Sequence, residues 1–575
     1  MKLFEDIFLN KIMLCVCVLV ALFLSVFCGL SIESRILYEN INFMRENGMI
    51  YSLQTIEKDD AIHLFCVSPE TEKDAELLVE AGGGRIIFTL SDGTAHKYES
   101  GDKISTKILG EAVSCKIGSK YSIISYENEF CFHEWSGLPT VLIDLKGSSL
   151  KDISAKKGLW CNADYFVVDK EGTGVHDGNC EVRVHGNTTF FNPKKSLDMK
   201  MEEITPLLGM DGGMRWVLIS NYEDQSFMKN VVGYTLQKQM GCEYAPETQF
   251  VNVYVDGQFQ GLYLLVERPD GGSVSFTLQD ELQEKTDSYM LELCGRLTYL
   301  ESVNGFETKH RYVTIRYPDA MENKMDALSD FVNKAESALY MENGESDNAY
   351  LEYFDAESFA LQYLLQEFMK NYDTELNSQY VCISDDGVIK AGPAWDFGVG
   401  MYKPYTTPLD GADLLHIKSL NDREKIADDL WFGAIDRHDG FHELMKKMYI
   451  EEFYYKAKQI VGNFSEISAD ELEGAANMDA YMWGTSSNTF VDRVAYTSDW
   501  MNKRLDFLYD YYLNEEEYCL VTFKTGLRFD VVFPVKRESV LEWIPNEGSW
   551  QDESGTRAQE GTWIEKDMIF YGIEE

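Results

Sequence analysis

Residues 245–267 read APETQFVNVYVDGQFQGLYLLVE, and residues 355–370 read DAESFALQYLLQEFMK. The first stretch holds two β-rich runs around Asp256-Gly257, a dipeptide suited to the positive-φ turn of a two-residue hairpin. The second is apolar on most of its circumference, which predicts a helix buried against several elements at once. Before the hairpin, VLIDL, EVRVHG, SLDMKM and WVLIS read as strands, and YVTIRY reads as another after it. Between them, Asp224–Met240 (DQSFMKNVVGYTLQKQM) has apolar Phe227, Val231, Tyr234 and Leu236, with Asp224 placed as an N-cap and Gly241 as a C-terminal stop. Further helices are expected around 321–341, 421–462 and 494–514. Strands first and helices afterwards predict an α+β core over 138–515, a β-rich lobe leading a helical one.

The flanks differ from this core. From His63 onward HLFCVS, RIIFTLS and YSIISYE alternate, broken by AGGG at 81–84 and SDG at 91–93, so 32–137 is expected to be a small antiparallel β domain serving as spacer or interaction domain. Ile12–Leu30 (IMLCVCVLVALFLSVFCGL) is 19 residues without a charge. As a helix it spans about 28 Å, enough for a hydrocarbon core. It exceeds the usual h-region, and SIESRILYENINF follows it, so 1–31 is expected to be an uncleaved membrane anchor rather than a cleaved signal. Lys2 and Lys11 before it, against Arg35 and Arg45 after it, lean toward a cytoplasmic N-terminus with the bulk outside. After the charged linker LNEEEY the pattern turns β again (CLVTFKTG, LRFDVVFPV, GTWIEKDMIFYGIEE), marking 516–575 as a separate small domain on which nucleotide binding by the core should not depend.

Of the 575 residues 45% are hydrophobic and 13% aromatic, which excludes a disordered chain. Lys plus Arg number 52 against 96 Asp plus Glu, a net charge of −44. Such a balance repels phosphate backbones and excludes nucleic acid as an expected partner; it suits cationic partners, and plain solubility explains it equally well. Of 12 cysteines, Cys15, Cys17 and Cys28 lie in the apolar segment, and the rest scatter without CxxC or zinc-site spacing, as buried small hydrophobes do. The nine histidines are scattered too, which argues against a metal-dependent hydrolase.

Phosphoryl transfer needs cations on the phosphates, carboxylates for Mg²⁺ and a carboxylate aligning the acceptor hydroxyl. Gly186, Asn187, Lys194 and Lys195 form a strand–turn–strand segment in which backbone N–H groups can approach phosphate. An ordinary hairpin with solvated lysines fits the same residues, and alternation lets only one of the two lysines face inward. Asp373 leaves the buried helix directly into a loop, in KNYDTELNSQY, where an Asx turn is the plainer reading. Asp396 lies 23 residues further, in PAWDFG, and a hairpin between the two acids can return the chain so that both face one Mg²⁺.

Five blocks, in order, are Val182–Met199 (VRVHGNTTFFNPKKSLDM), Leu218–Asn230 (LISNYEDQSFMKN), Ala245–Glu267, Asp355–Asp373 and Asp386–Gly400 (DGVIKAGPAWDFGVG). Together they resemble the CotH family, the spore-coat H-type atypical protein kinases, over about 138–515. The resemblance implies a bilobal protein-kinase-like core that uses ATP and Mg²⁺ to phosphorylate surface or spore-coat-like proteins of a bacterium. It implies that Asp373 is the catalytic carboxylate and that Asp396 holds metal, with Asn377 at a second metal position. It also implies phosphate contacts in the block of Gly186, Asn187, Lys194 and Lys195, a nucleotide-lobe helix carrying Lys229 where the family commonly has Arg, and Glu267 at the lobe connection beside the adenine edge.

Two departures stand out. Protein kinases place the metal-binding Asn five residues after the catalytic Asp, whereas here Asn377 is four after and Ser378 five after. The family's second acid, two residues after Asp396, is Gly398. The tail resembles a single internalin-type Listeria-Bacteroides repeat, a small β-grasp-like module. The leading expectation is a membrane-tethered protein kinase acting on basic, Ser-rich proteins at the cell or spore surface. The alternative is a non-catalytic kinase-like surface binding protein or adhesin, favoured by the tail, the anchor and Gly398.

Overall fold

The computed structural model describes residues 41–573 apart from 45–49, 57–60, 66–75, 82–83, 120–124, 134, 244, 270–287, 303, 319–323, 384–385, 402–410, 421–429, 527–528 and 546–547. The apolar segment 1–31 lies outside the described residues, and among those described no helix is long and apolar enough to cross a membrane.

The β-rich lobe closes into a barrel. Its strands are β1 (Thr140–Leu145), β2 (Cys161–Val168), β3 (Gly174–Val184), β4 (Leu197–Leu207), β5 (Met210–Ile219), β6 (Thr248–Val255) and β7 (Gln258–Glu267), in the order β1-β2-β3-β4-β5-β7-β6. The closure is the parallel pair β6–β1, Thr140 opposite Asn252. The hairpin read at Asp256-Gly257 joins β6 to β7, and both residues take positive φ, 51° and 74°. Alternation decides what each strand does: Val182, Val184, Leu197, Met199, Trp216 and Leu218 fill the barrel. Their neighbours point outward, where Val217, Leu262, Leu264 and Val266 join the core of the helical lobe.

Helix α1 (Met228–Gln239) lies between β5 and β6 and starts later than its pattern suggested. Asn221 and Phe227 hold left-handed φ of 48° and 58°, folding the preceding residues into turns. Asp224 is therefore not the N-cap residue, yet its carboxylate still accepts the Lys229 N–H at 2.8 Å. Gly241, at φ 83°, ends the helix as expected.

The helical lobe is built on β8 (Tyr289–Cys294), β9 (Gly305–Glu307), β10 (Tyr312–Tyr317), α2 (Met325–Leu339), α3 (Ala356–Met369), β11 (Gln379–Ile383) and β12 (Ile389–Ala394), with sheet order β9-β10-β8-β11-β12. Asp355 caps α3 by accepting the Ser358 N–H at 2.7 Å, and Phe359, Leu364, Leu365 and Phe368 are buried. Of the expected 421–462 helix, 421–429 lie outside the described residues and Trp431–Ile435 is a short separate helix; the rest is α4 (Asp439–Met448), which runs through a π-helical turn at Tyr449–Phe453 into α5 (Tyr454–Asn463). Then come α6 (Ala469–Trp483) and α7 (Phe490–Leu513).

Neither flank stands apart. The N-terminal β domain begins earlier than its alternation implied, with strands Asn42–Met44 and Ile50–Ser52, and includes one parallel pair, Ser125–His133 with Ile62–Phe65. It docks on the barrel hairpin: Ser52 N–H donates to Gly257 O at 3.2 Å, Phe259 N–H to Gln54 Oε1 at 2.9 Å, and Tyr254 and Phe259 enter its core. The tail carries β13 (Tyr518–Lys524), β14 (Val531–Lys536) and β15 (Met568–Ile573) around Phe523, Trp550 and Phe570. It is bonded to the helical lobe through Leu415 N–H to Val532 O at 3.0 Å and Asp530 N–H to Ser419 O at 2.8 Å.

Candidate active site

The loop after α3 holds Lys370, Glu375 and Ser378 at positive φ (45°, 52° and 57°), a backbone that non-glycine residues keep only when neighbours enforce it. The Asn371 carboxamide supplies part of that force. Its Oδ1 accepts the Asp373 N–H at 3.2 Å, and its Nδ2 donates to the Asp396 carbonyl at 3.2 Å. One side chain thus ties together the backbones of the two acids singled out in the sequence. The Asp373 carbonyl accepts the Leu376 and Asn377 N–H groups, closing the turn.

Asp396, itself left-handed at φ 60°, follows β12. Its N–H donates to the Tyr234 hydroxyl at 3.2 Å, the next N–H, of Phe397, to Asn230 Oδ1 at 2.8 Å, and Trp395 stacks on Tyr234. Helix α1 therefore grips this segment from one side, and Gly233 leaves room for the Phe397 ring, which a Cβ there would strike. Burial pushes the Asp396 carboxyl above the usual aspartate range, His185 and the Gly398 N–H pull it back, and Glu223 pushes it further up.

The outer face of the barrel contributes a basic cluster that the sequence reading missed. Asp198 on β4 is wholly buried under Arg183 Nη2 at 2.6 Å, Arg268 Nη1 at 2.9 Å, His185 Nδ1 at 3.1 Å and Arg215 Nη2 at 3.3 Å. Burial alone would raise its carboxyl, but Arg268, His185 and Arg215 outweigh that and hold it well below the usual range. Three guanidiniums thus converge on one carboxylate, with each Arg side chain about a fifth to a quarter exposed. The cluster adjoins Asp396: His185 acts electrostatically on it, and Tyr380 on β11 feels both Arg268 and Asp396. The one signal available in sequence was parity, since Arg183, Asp198 and Arg215 sit at outward positions of adjacent strands.

The residues expected at the phosphates divide. Lys194 is fully buried, and its three N–H donors meet Asp479 Oδ1 at 2.5 Å, Leu262 O at 2.6 Å and Ser220 O at 2.8 Å. That saturates an ammonium, so the expected phosphate contact is corrected to an internal ion pair with α6. Burial draws both Lys194 and Asp479 toward neutrality, against the attraction of each for the other. Lys195 is the partly exposed one and donates to Phe190 O at 2.8 Å. Gly186 holds φ 100°, where a Cβ would strike Thr189 Oγ1, and Asn187 is exposed beside it.

Lys229 donates to Gly400 O at 3.0 Å and so fastens α1 to the segment after Asp396. Glu267, expected beside the adenine edge, is buried at the end of β7, and the next residue, Arg268, joins the cluster on Asp198. Asn377, expected at a second metal position, accepts the Thr298 hydroxyl on its Oδ1 at 2.6 Å.

Among the described residues no three His, Cys, Asp or Glu side chains form a ready-made metal cage. The hard carboxylate oxygens of Asp396 are donors of the kind Mg²⁺ takes, one or two from protein with water and phosphate filling the rest of its shell.

A comparison with curated proteins finds no match. The family description "CotH kinase protein" matches residues 182–508, more than half of the chain, spanning the basic cluster, the Asn371 bridge and both acids. On that match the chain belongs to the CotH kinase protein family.

Proposed function

We propose that the chain transfers the γ-phosphoryl group of ATP to hydroxyls of basic, Ser-rich proteins at the cell or spore surface of a bacterium, tethered by residues 1–31. The observation that carries this reading is the Asn371 bridge, which ties the backbones of Asp373 and Asp396 together, with the Arg183, Arg215 and Arg268 cluster on Asp198 as a source of phosphate contacts. In the reaction the acceptor oxygen bonds to phosphorus, the bridge to the β-phosphate breaks, ADP leaves and the hydroxyl proton passes to the Asp373 carboxylate. The arginines and His185 hold phosphate charge, and Asp396 holds Mg²⁺, which when bound neutralises the phosphates. The net charge of −44 favours basic acceptors, an attraction that shrinks as salt rises. The tail, read as an internalin-type repeat, suits surface display. Because ATP is scarce outside cells, activity there depends on local supply, for instance during sporulation.

A non-catalytic surface scaffold is the second reading, favoured by Gly398 and by the engagement of Asn377 with Thr298. Nucleotide-binding calorimetry run beside γ-phosphate transfer to a basic, Ser-rich peptide separates the two. Asp373→Asn should abolish transfer with ATP affinity near normal, whereas Asp396→Asn should weaken Mg²⁺-dependent binding as well. Absence of transfer by the wild type, with both variants binding ATP as it does, selects the scaffold.

A further inference from the structure

Phe529 belongs to the tail, outside the span matched by the family, yet it is buried against the Asp373 loop. Its ring centroid lies 5.5 Å from that of Tyr372, the residue directly before Asp373, and 5.3 Å from that of His416. His416 is a wedge between tail and loop. Its Nε2 meets the Asn371 carbonyl at 2.9 Å and Thr374 Oγ1 at 3.1 Å, while its own N–H and that of Ile417 donate to the buried Glu367 carboxylate at 2.7 and 2.6 Å. From behind, Phe529 is held by an antiparallel bridge to Leu420, by the Thr525 hydroxyl on its carbonyl at 2.7 Å, and by the neighbouring Asp530, which takes Lys524 Nζ at 2.7 Å and the Thr525 N–H at 3.0 Å.

The loop needs such support. It carries three non-glycine residues in left-handed conformation within nine positions, Lys370 to Ser378, and a backbone of that kind relaxes unless its surroundings over-determine it. Helix α3 fixes one end and β11 the other; Asn371 and the ring pair Tyr372–Phe529 fix the middle.

We infer that Phe529, carried by the C-terminal β module, is a positioning residue for the loop that bears Asp373, acting through Tyr372 and His416. The module is then a strut behind the acceptor-side carboxylate, and a shift of that carboxylate by a fraction of an ångström degrades transfer far more than nucleotide binding. The kinetic consequence rests on the kinase reading; the mechanical one does not.

Amide hydrogen exchange and transfer kinetics on the full chain test it together. Phe529→Ala should speed exchange at Leu376 and Asn377, whose N–H groups bond the Asp373 carbonyl, at least tenfold and lower kcat at least tenfold, with KM for ATP within twofold. Phe529→Leu should restore most of both. Exchange in Tyr518–Lys524 and Val531–Lys536 reports whether the module stays folded. If it does, and exchange at 376–377 is unchanged in Phe529→Ala, the inference is overturned. If the module itself loosens, Tyr372→Ala removes the contact from the loop side, and faster or unchanged exchange at 376–377 decides for or against. Should the wild type transfer no phosphate, the exchange result stands alone and it is the kinase reading that falls.

Discussion

Asn371 donates its side-chain N–H to the carbonyl of Asp396 at 3.2 Å, and with the same carboxamide accepts the Asp373 N–H. Two segments 23 residues apart in the chain are thereby held in register by one short side chain. Asn371→Ala deletes both bonds in a buried position. It should lower stability by about 1–3 kcal/mol and slow transfer at least tenfold, seen by denaturant titration and single-turnover kinetics. Wild-type rates in a destabilised variant would show that the acids keep their spacing without the bridge.

Lys194 and Asp479 make a second long-range tie, 285 positions apart, that pins α6 to the barrel. Lys194→Met leaves a buried, unpaired carboxylate and should cost about 3–5 kcal/mol, while Lys194→Met combined with Asp479→Leu should recover most of the loss. Urea denaturation of the four proteins completes the cycle. ATP affinity should stay within a few-fold throughout in variants that fold; a specific loss of affinity in Lys194→Met would return Lys194 to the phosphates.

Gly398 marks the place of the family's second acid, and there is space to restore it. A Cβ at 398 would lie 3.6 Å from Asp396 Oδ1 and 3.8 Å from Asn230 Nδ2, ordinary contact distances. Gly398→Asp should tighten Mg²⁺-dependent ATP binding about tenfold, roughly 1.4 kcal/mol, as read by calorimetry. In the absence of metal the new charge should raise the Asp396 carboxyl further and lower the melting temperature. Unchanged affinity would mean that metal is held without a carboxylate at this position.

His442 joins the helical lobe to the linker before the tail. Its ring nitrogens meet Asp436 Oδ1 at 2.7 Å and Glu515 Oε2 at 2.8 Å, and Glu515 also takes Lys446 at 2.9 Å. Burial would lower His442, but Asp436 and Glu515 raise it from 6.5 to about 9; burial would raise Glu515, but His442 and Lys446 bring it from 4.5 to about 2. The His442 contribution is therefore complete below about pH 6.5 and is lost as pH rises through 9, and that of Glu515 is lost as pH falls from 4.5 through 2. His442→Ala should cost on the order of 2 kcal/mol at pH 6 and flatten the decline between pH 7 and 10. Parallel pH–stability curves for variant and wild type would exclude this latch.

Six of the seven barrel strands, the hairpin at Asp256-Gly257 and the buried helix after Asp355 were legible as pattern, whereas β2 (Cys161–Val168) was not read. Periods of 2 and 3.6 and turn chemistry are properties of neighbouring residues, so they survive in a string of letters. The start of α1 was misread because left-handed Phe227 displaced the helix from Asp224, a choice made by packing of the preceding turns. Which of Lys194 and Lys195 faces inward was open, and the answer depended on Asp479, which arrives from α6 only once the lobes have packed. The arginines around Asp198 converge from β3, β5 and the residue after β7, so the cluster exists only when the barrel closes. The contact of Phe529 with Tyr372, between the tail and the Asp373 loop, arises in the same way. Local periodicity records which face of an element is apolar, but not which distant face will cover it; that choice comes from chain topology and the burial of whole surfaces, and it gathered the arginines on Asp198.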